Sequence, residues 1–150
     1  MHHVLRKLAL SLVFASSATL AAPAFNADWR QVAPDDGWAG MDGGTRGGVA
    51  APAERVFRVR DIDGVRQAFK QAGGEAKIVI VEGVIDATGG KPFESKADQA
   101  ARGQIRVPSN TSLIGADKTA GFVNADLVLK GVRNVIIRNL TFEDVIDFFP

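Results

Sequence analysis

Ile105-Arg106-Val107 followed by Asn110-Thr111-Ser112-Leu113-Ile114-Gly115 returns, one round later, as Leu127-Val128-Leu129 followed by Asn134-Val135-Ile136-Ile137. Gly103–Gly115 and Ala125–Phe149 therefore read as two successive coils of short strands, each broken at Gly or Asn. The offsets of roughly 22 to 24 residues suit stacked strand repeats. Asp147-Phe148-Phe149-Pro150 supplies no polar cap of the kind a solenoid ends on. The expectation is a mainly β chain: a right-handed parallel β-helix, truncated, of which this is the front part.

Within the coils, Ile105, Val107, Leu113, Leu127, Leu129, Val135, Ile137, Leu140 and Phe142 are expected to face inward. Arg106, Lys130, Arg138 and Thr141 alternate with them and face outward or sit at bends. Asn110 and Asn134 suit tight turns, because Asn tolerates left-handed geometry, and stacked in register they can share hydrogen bonds. Asn110-Thr111-Ser112 and Asn139-Leu140-Thr141 also match the glycosylation sequon, but turn and strand roles account for them.

Upstream, Val56-Phe57-Arg58-Val59 alternates as a strand. Asp61 or Asp63 can cap a following helix, whose apolar face is Val65, Ala68, Phe69 and Ala72 and which stops at Gly73-Gly74. Such a helix is suited to plug the open end of a β-solenoid. Ile78-Val79-Ile80-Val81, continued by Val84-Ile85, is an unbroken β-branched run and predicts burial on both faces. Asp86–Arg102 is polar, with Gly89-Gly90 and Pro92, and predicts a surface loop with solvated charges.

The first 24 residues stand apart from the fold. A basic start (His2, His3, Arg6, Lys7), an apolar run Leu8–Phe14 and the small-residue site Ala22-Pro23-Ala24 predict a secretory signal peptide, cut after Ala24 or Ala21. Its apolar core is too short to span a bilayer. Both histidines lie in this leader, and the chain has no cysteine or tyrosine. Losing Arg6 and Lys7 takes the formal net charge from +1 to −1, which offers no reason to expect nucleic acid or anionic membrane as a partner. An exported chain without cysteine relies on packing, metal or partners rather than disulfides. Residues 25–55 form a Gly/Ala-rich arm, with Trp29 and Trp38 as anchors that pack on the body. Its cluster Gly43-Gly44-Thr45-Arg46-Gly47-Gly48 lacks the flanking strand and the Lys-Ser/Thr pair of a phosphate loop. Residues 56–150 then comprise the cap and first coils of a β-helix domain left incomplete at its C-terminus.

These stretches resemble the pectate lyases, secreted parallel β-helix enzymes of pectin lyase-like fold. The resemblance rests on Ile105-x-Val107-x-Ser109-Asn110-Thr111-Ser112-Leu113-Ile114-Gly115 and Asn134-Val135-Ile136-Ile137-Arg138-Asn139-Leu140. Val56–Ala72, the Gly-x-Ile-Asp ending at Asp86 and the Gly43–Gly48 cluster add to it. It implies cleavage of de-esterified pectin (polygalacturonate) by β-elimination. In the family a calcium ion, Ca2+, held by acidic residues neutralises the uronate carboxylate. A basic side chain, an arginine, then removes the C5 proton and the 4-linked oxygen leaves; a hard dication suits that carboxylate chemistry. The resemblance also implies a pectin polysaccharide as partner, no membrane after leader cleavage, and a monomer when complete.

The family's calcium carboxylates, its Trp-x-Asp-His strand and its Arg-x-Pro-x-x-Arg motif have no counterparts in these residues; Arg102 and Arg106 with Pro108 do not reproduce the last. No catalytic, cofactor-binding or metal-ligating residue is therefore assigned, and the chain by itself is expected to be inactive. Asp144 and Asp147 are acidic and at the right end, but two carboxylates fall short of the six or more oxygens calcium takes, and they read as solvated turn residues. Arg133 and Arg138 have guanidinium forks that suit uronate carboxylates. A pectin lyase acting on methyl-esterified polymer, and a non-catalytic polysaccharide-binding β-solenoid, are the competing readings.

Overall fold

The computed structural model describes residues 27–143. The leader, Asp144 and Asp147 lie outside the described residues. The elements run β1 (Val56–Val59), α1 (Ile62–Ala72), β2 (Lys77–Val81), β3 (Val84–Asp86), α2 (Lys96–Gly103), β4 (Gln104–Arg106), β5 (Thr111–Gly115), β6 (Gly121–Val123), β7 (Asp126–Val128), β8 (Val135–Arg138) and β9 (Thr141–Glu143). Every strand pairing is parallel, and three sheets result: A, in the order β1-β2-β5-β8; B, β3-β6-β9; and C, β4-β7. From β4 onward the chain passes C to A to B, and then repeats the circuit through β7, β8 and β9. That is a parallel β-helix, as expected. Ile105 pairs with Leu127, and Thr111 with Val135.

Asparagine makes the corners. Asn110, Asn124, Asn134 and Asn139 have φ of 58°, 54°, 57° and 54°, the left-handed region that Asn tolerates better than other side chains. At the entry to sheet A the two expected asparagines stack. Asn134 Nδ2 donates to Asn110 Oδ1 at 2.8 Å, and Asn110 Nδ2 donates to the Gly74 carbonyl at 2.9 Å. Each rung thus satisfies polar atoms that strand pairing cannot reach.

Sheet A is buried on both faces, with every residue of β2 and β5 inaccessible. Its inner face (Val79, Val81, Leu113) packs into the main core with Ile105, Phe122 and the α1 residues Val65, Ala68 and Phe69. Asp61 caps α1 by accepting from the Gly64 N–H at 2.7 Å, and α1 covers β1 and β2 as an end plug. On the outer face, Ile78, Ile80 and Ile114 lie against Trp29 and Ala51. Residues 45–51 cross this face as a strap. Arg46 and Gly47 N–H groups donate to Asn134 Oδ1 at 2.8 and 2.7 Å, Gly48 N–H donates to Ser112 Oγ at 2.9 Å, and Arg30 holds the carbonyls of Val49 and Ala51. The glycine cluster exists for this approach: a Cβ on Gly48 would stand 1.8 Å from the Lys77 carbonyl oxygen. Trp29 anchors the arm as expected, with Arg58 over its ring. Trp38 does not, being 93% exposed.

Three further expectations are corrected. The segment read as a loop over Asp86–Arg102 ends in helix α2. Ser95 caps it by accepting from Asp98 N–H, and Arg102 binds Asp98 through two nitrogens while donating to the carbonyls of Thr88, Lys91 and Pro92. Those contacts hold the Asp98 carboxyl well below the usual carboxylate range, so these charges are structural rather than simply solvated. Val84-Ile85 does not prolong β2: Gly83, at φ 76°, turns the chain into sheet B. Leu129 and Phe142 are about half exposed, because β7 and β9 are the outermost strands of sheets C and B among the described residues. Lys77, nominally polar, is fully buried in β2, donating to the Ser109 carbonyl and Thr111 Oγ1. Burial pushes its ammonium below the usual lysine range, with Glu75 opposing that shift.

Gly48→Ala should force the strap off β2 and cost about 2–3 kcal/mol, the usual scale of overpacking. Gly74→Ala, where a Cβ meets open space, should change stability by no more than about 0.5 kcal/mol. Urea unfolding of both variants checks the contrast. Asn134→Ala leaves two strap N–H groups and one rung unpaired and should cost about 2 kcal/mol in the same measurement; an unchanged midpoint would refute the ladder's structural role.

Candidate functional site

The outward face of sheet B carries the exposed carboxylates Asp86 and Glu143. Alternation along its strands sends Ile85 and Phe122 inward, while Val84, Asp86 and Glu143 face solvent. Phe142 stacks on Phe122 with ring centroids 5.8 Å apart, which fixes the register of β9 on β6. Asp86, Val123 and Glu143 consequently form one row across three strands. A shallow cavity of about 180 Å³ opens on this face, bordered by Val84, Lys118, Thr141 and Glu143.

The carboxylates differ in how they are held. Asp86 Oδ1 accepts from Thr88 N–H at 2.9 Å and from Asn124 Nδ2 at 3.0 Å, and Oδ2 accepts from the Thr88 hydroxyl at 2.8 Å. Burial pushes this carboxyl upward, but the Asn124 and Thr88 hydrogen bonds outweigh it and hold the group below the ordinary aspartate range. Asp117, at the corner between sheets A and B, is lowered by the hydroxyl and N–H of Thr119. Both are anions committed to turns. Glu143 is exposed on the cavity rim.

Whether these groups could hold calcium follows from the register. Asp86 and Glu143 are separated by one intervening strand, so their backbones lie about 9–10 Å apart. A calcium ion takes oxygen ligands at about 2.3–2.6 Å and needs six or more of them. Among the described residues no group of three or more His, Cys, Asp or Glu side chains could hold a metal ion. The described part of this face therefore does not fit calcium, and Asp144 and Asp147, the acidic pair read from the sequence, fall outside it.

Nor does the structure bring Arg133 and Arg138 together. Arg133 precedes the corner residue Asn134, whose φ is 57°, while Arg138 is the last residue of β8. Arg138 donates to Gln31 Oε1 and helps pin the arm. Arg133 is exposed at the corner into sheet A, its N–H on Ser109 Oγ at 3.1 Å. Sequence reasoning missed Asn124 as the residue that orients Asp86. The available signal was an asparagine directly after a short apolar strand, the same cue that marked Asn110 and Asn134 from the other side.

A family model described as pectate lyase matches residues 5–150. Pectate lyase E of Dickeya chrysanthemi is 43% identical over 143 residues, covering 95% of this chain and 36% of that protein. Pectate lyase D of the same organism is 44% identical over 118 residues, covering 79% of this chain and 30% of its own length. The structure of a thermostable pectate lyase superposes with a TM-score of 0.72 at 29% identity, covering 81% of this chain and 41% of that one. A pectate lyase bound to a hexasaccharide superposes with a TM-score of 0.69 at 25% identity, again over 81% and 41%. The chain thus spans about a third of the length of the curated relatives it matches. With the family model matching residues 5–150 and a relative 43% identical over 95% of the chain, the chain belongs to the pectate lyase family.

Proposed function

We propose that this chain supplies the cap and first coils of a secreted pectate lyase, an enzyme that cleaves de-esterified pectin by β-elimination. The observation that carries the reading is the match to pectate lyases over 95% of the chain in sequence and 81% of it in structure. Met1–Ala24 acts as the leader that exports the protein, with cleavage after Ala24 or Ala21, and residues 25–55 are the arm that wraps the domain. Among the described residues no helix is long and apolar enough to cross a membrane.

The role of these residues is positional. The stacked corners fix the height and register of each coil, and sheet B carries that register along the face on which Glu143 lies. A polyuronate chain laid on such a face meets residues spaced about 4.8 Å apart from coil to coil. The complete enzyme uses calcium, with ligands outside the described residues, and no step of the elimination is assigned to residues 27–143.

The test compares two proteins on polygalacturonate, following the unsaturated uronide product with calcium and with chelator. Residues 1–150 alone should give no product. A fusion joining them after Glu143, in register, to the remaining coils of Dickeya pectate lyase E should be active only with calcium. Product from residues 1–150 alone would overturn the placement of the chemistry. A folded but inactive in-register fusion would overturn the pectate lyase reading of these coils.

A further inference from the structure

The tip of the arm carries apolar surface that nothing among the described residues covers. Trp38 is 93% exposed and Met41 60%, and Val32, at the foot of the same loop, is exposed too. A tryptophan left in water forgoes the burial of about 150–250 Å². The loop is nevertheless built rather than loose. The Ala33 N–H donates to the Thr45 carbonyl at 3.1 Å, which closes residues 33–45 at the base, and the Thr45 N–H donates to the Ala39 carbonyl at 2.8 Å. Gly40 packs so closely on Asp35 that a Cβ there would stand 2.5 Å from the Asp35 carbonyl oxygen. Compact loops closed in this way are frequently functional.

The two legs of the arm show which way the loop leaves the sheet. On the leg that follows the loop, Ala51 packs with Ile78 of β2, and the Gly48 N–H binds Ser112 of β5. Gly47 comes so near β8 that a Cβ there would stand 3.0 Å from Ile136 Cδ1, and the Arg46 N–H binds Asn134, directly ahead of β8. On the leg that precedes it, Trp29 lies under Arg58 of β1, and Gln31 accepts from Arg138 of β8. Both legs therefore climb sheet A toward β8, its outermost described strand, and reach it before the loop begins. The strand after β8 has its place about 4.8 Å further along the same climb.

Charge decides what can cover this tip. Asp35, Asp36 and Asp42 are exposed in the loop on either side of Trp38, and no lysine or arginine stands between Gln31 and Thr45. A polyanion is repelled by such a surface. A second copy packed tip to tip sets the same carboxylates against each other. An uncharged apolar face meets neither obstacle, and the arm already covers one. The outward columns of sheet A run Ile78-Ser112-Ile136 and Ile80-Ile114-Arg138, and Ile136 is still partly exposed. The offset of 24 residues from Asn110 to Asn134, applied once more to β8, passes Pro150. The next residues of these columns thus belong to polypeptide of the kind with which pectate lyase E continues, since this chain covers 36% of that protein.

We propose that Trp38 and Met41, with Val32 at the foot of the loop, dock on the outward face of the sheet A strand one coil beyond β8. The proposal rests on the reading above that these residues are the front of a longer pectate lyase. The arm is then a clamp: its legs hold β1 to β8, and its tip holds the coil that follows. Trp38 is an anchor whose seat lies outside the described residues, whereas the seat of Trp29 lies within them. Continuity with the interface already formed by Trp29, Ala51 and Ile78 gives the tip its direction, and the three aspartates keep it from other occupants.

Hydroxyl-radical footprinting of the in-register fusion to Dickeya pectate lyase E tests this, with oxidation of the Trp38 and Met41 peptides read by mass spectrometry. Both side chains should be oxidised about fivefold or more slowly in the folded fusion than in the same fusion unfolded in urea, since reactivity follows exposure. Trp38→Ala should lower the urea midpoint of the fusion by about 0.5 M or more, as loss of a buried tryptophan does. Val84→Ala, which trims an exposed apolar side chain on sheet B, should leave the midpoint within about 0.2 M. Oxidation of Trp38 at the unfolded rate, or equal midpoints for the two variants, would overturn the proposal. Protection that disappears on dilution assigns the surface to a second copy, and protection that needs added polygalacturonate assigns it to polymer; either result also overturns it. None of these readouts uses catalysis. An active fusion with an unprotected Trp38 sinks the clamp alone, and a folded, inactive fusion with a protected Trp38 sinks the lyase reading alone.

Discussion

Double-sided burial of sheet A is the constraint on which the rest of this structure depends. A parallel sheet made of Lys77–Val81 and Thr111–Gly115 presents β-branched side chains on both faces, and both must be covered. The inner face closes on the coil interior. Among the described residues no second sheet lies on the outer face, and the Trp29–Ala51 arm covers it. Burying one isoleucine stabilises by about 1.5–3 kcal/mol, so leaving Ile78, Ile80 and Ile114 open to water would offset much of a small domain's net stability. The arm can lie this close only because Gly47 and Gly48 bring backbone, not side chain, against Ser112 and Lys77. Glycine is used here for proximity rather than for a phosphate.

The same strap fastens to the asparagine ladder, and this couples the two devices. Asn134 accepts from Arg46 and Gly47 on one side and donates to Gly47 and Asn110 on the other, so its amide is fully used. Coil register and arm position are therefore set by one side chain. Register in turn decides which residues reach each outer face. It aligns Asp86 with Glu143 across sheet B and sets Arg106 opposite Val128 in sheet C.

Much of the fold was legible in the sequence because its signals are local and repeat. The two coils, the asparagine pair, the β1 strand, the α1 helix and its Asp61 cap all follow from alternation, helical spacing or turn chemistry. Helix α2 was overlooked because Gly89-Gly90 and Pro92 dominate the composition of its neighbourhood. The capping pattern Ser95-x-x-Asp98 ahead of Ala97, Ala100 and Ala101 was nevertheless present. The half-exposure of Leu129 and Phe142 depends on which strands stack above them, and alternation carries no such information. Trp38 shows the limit of treating every tryptophan in an apolar arm as an anchor. For the site, the acidic pair read from the sequence, Asp144 and Asp147, lies outside the described residues. Asn124 carried a turn signal, an asparagine directly after a short apolar strand, but its partner Asp86 lies 38 residues away in sequence and only the stacking of the coils brings the two together.

The arm is an integral layer of the domain, and native-state hydrogen exchange of the Arg46, Gly47 and Gly48 amides reads that directly. Their acceptors are Asn134 Oδ1 and Ser112 Oγ, both inside the coil stack. The account predicts that these three amides are protected and that they open together with the Ile78–Ile80 amides of β2, as members of one cooperative unit. Exchange of the three at unprotected rates, while β2 and β5 stay closed, would contradict it: sheet A would then be stable without its outer cover.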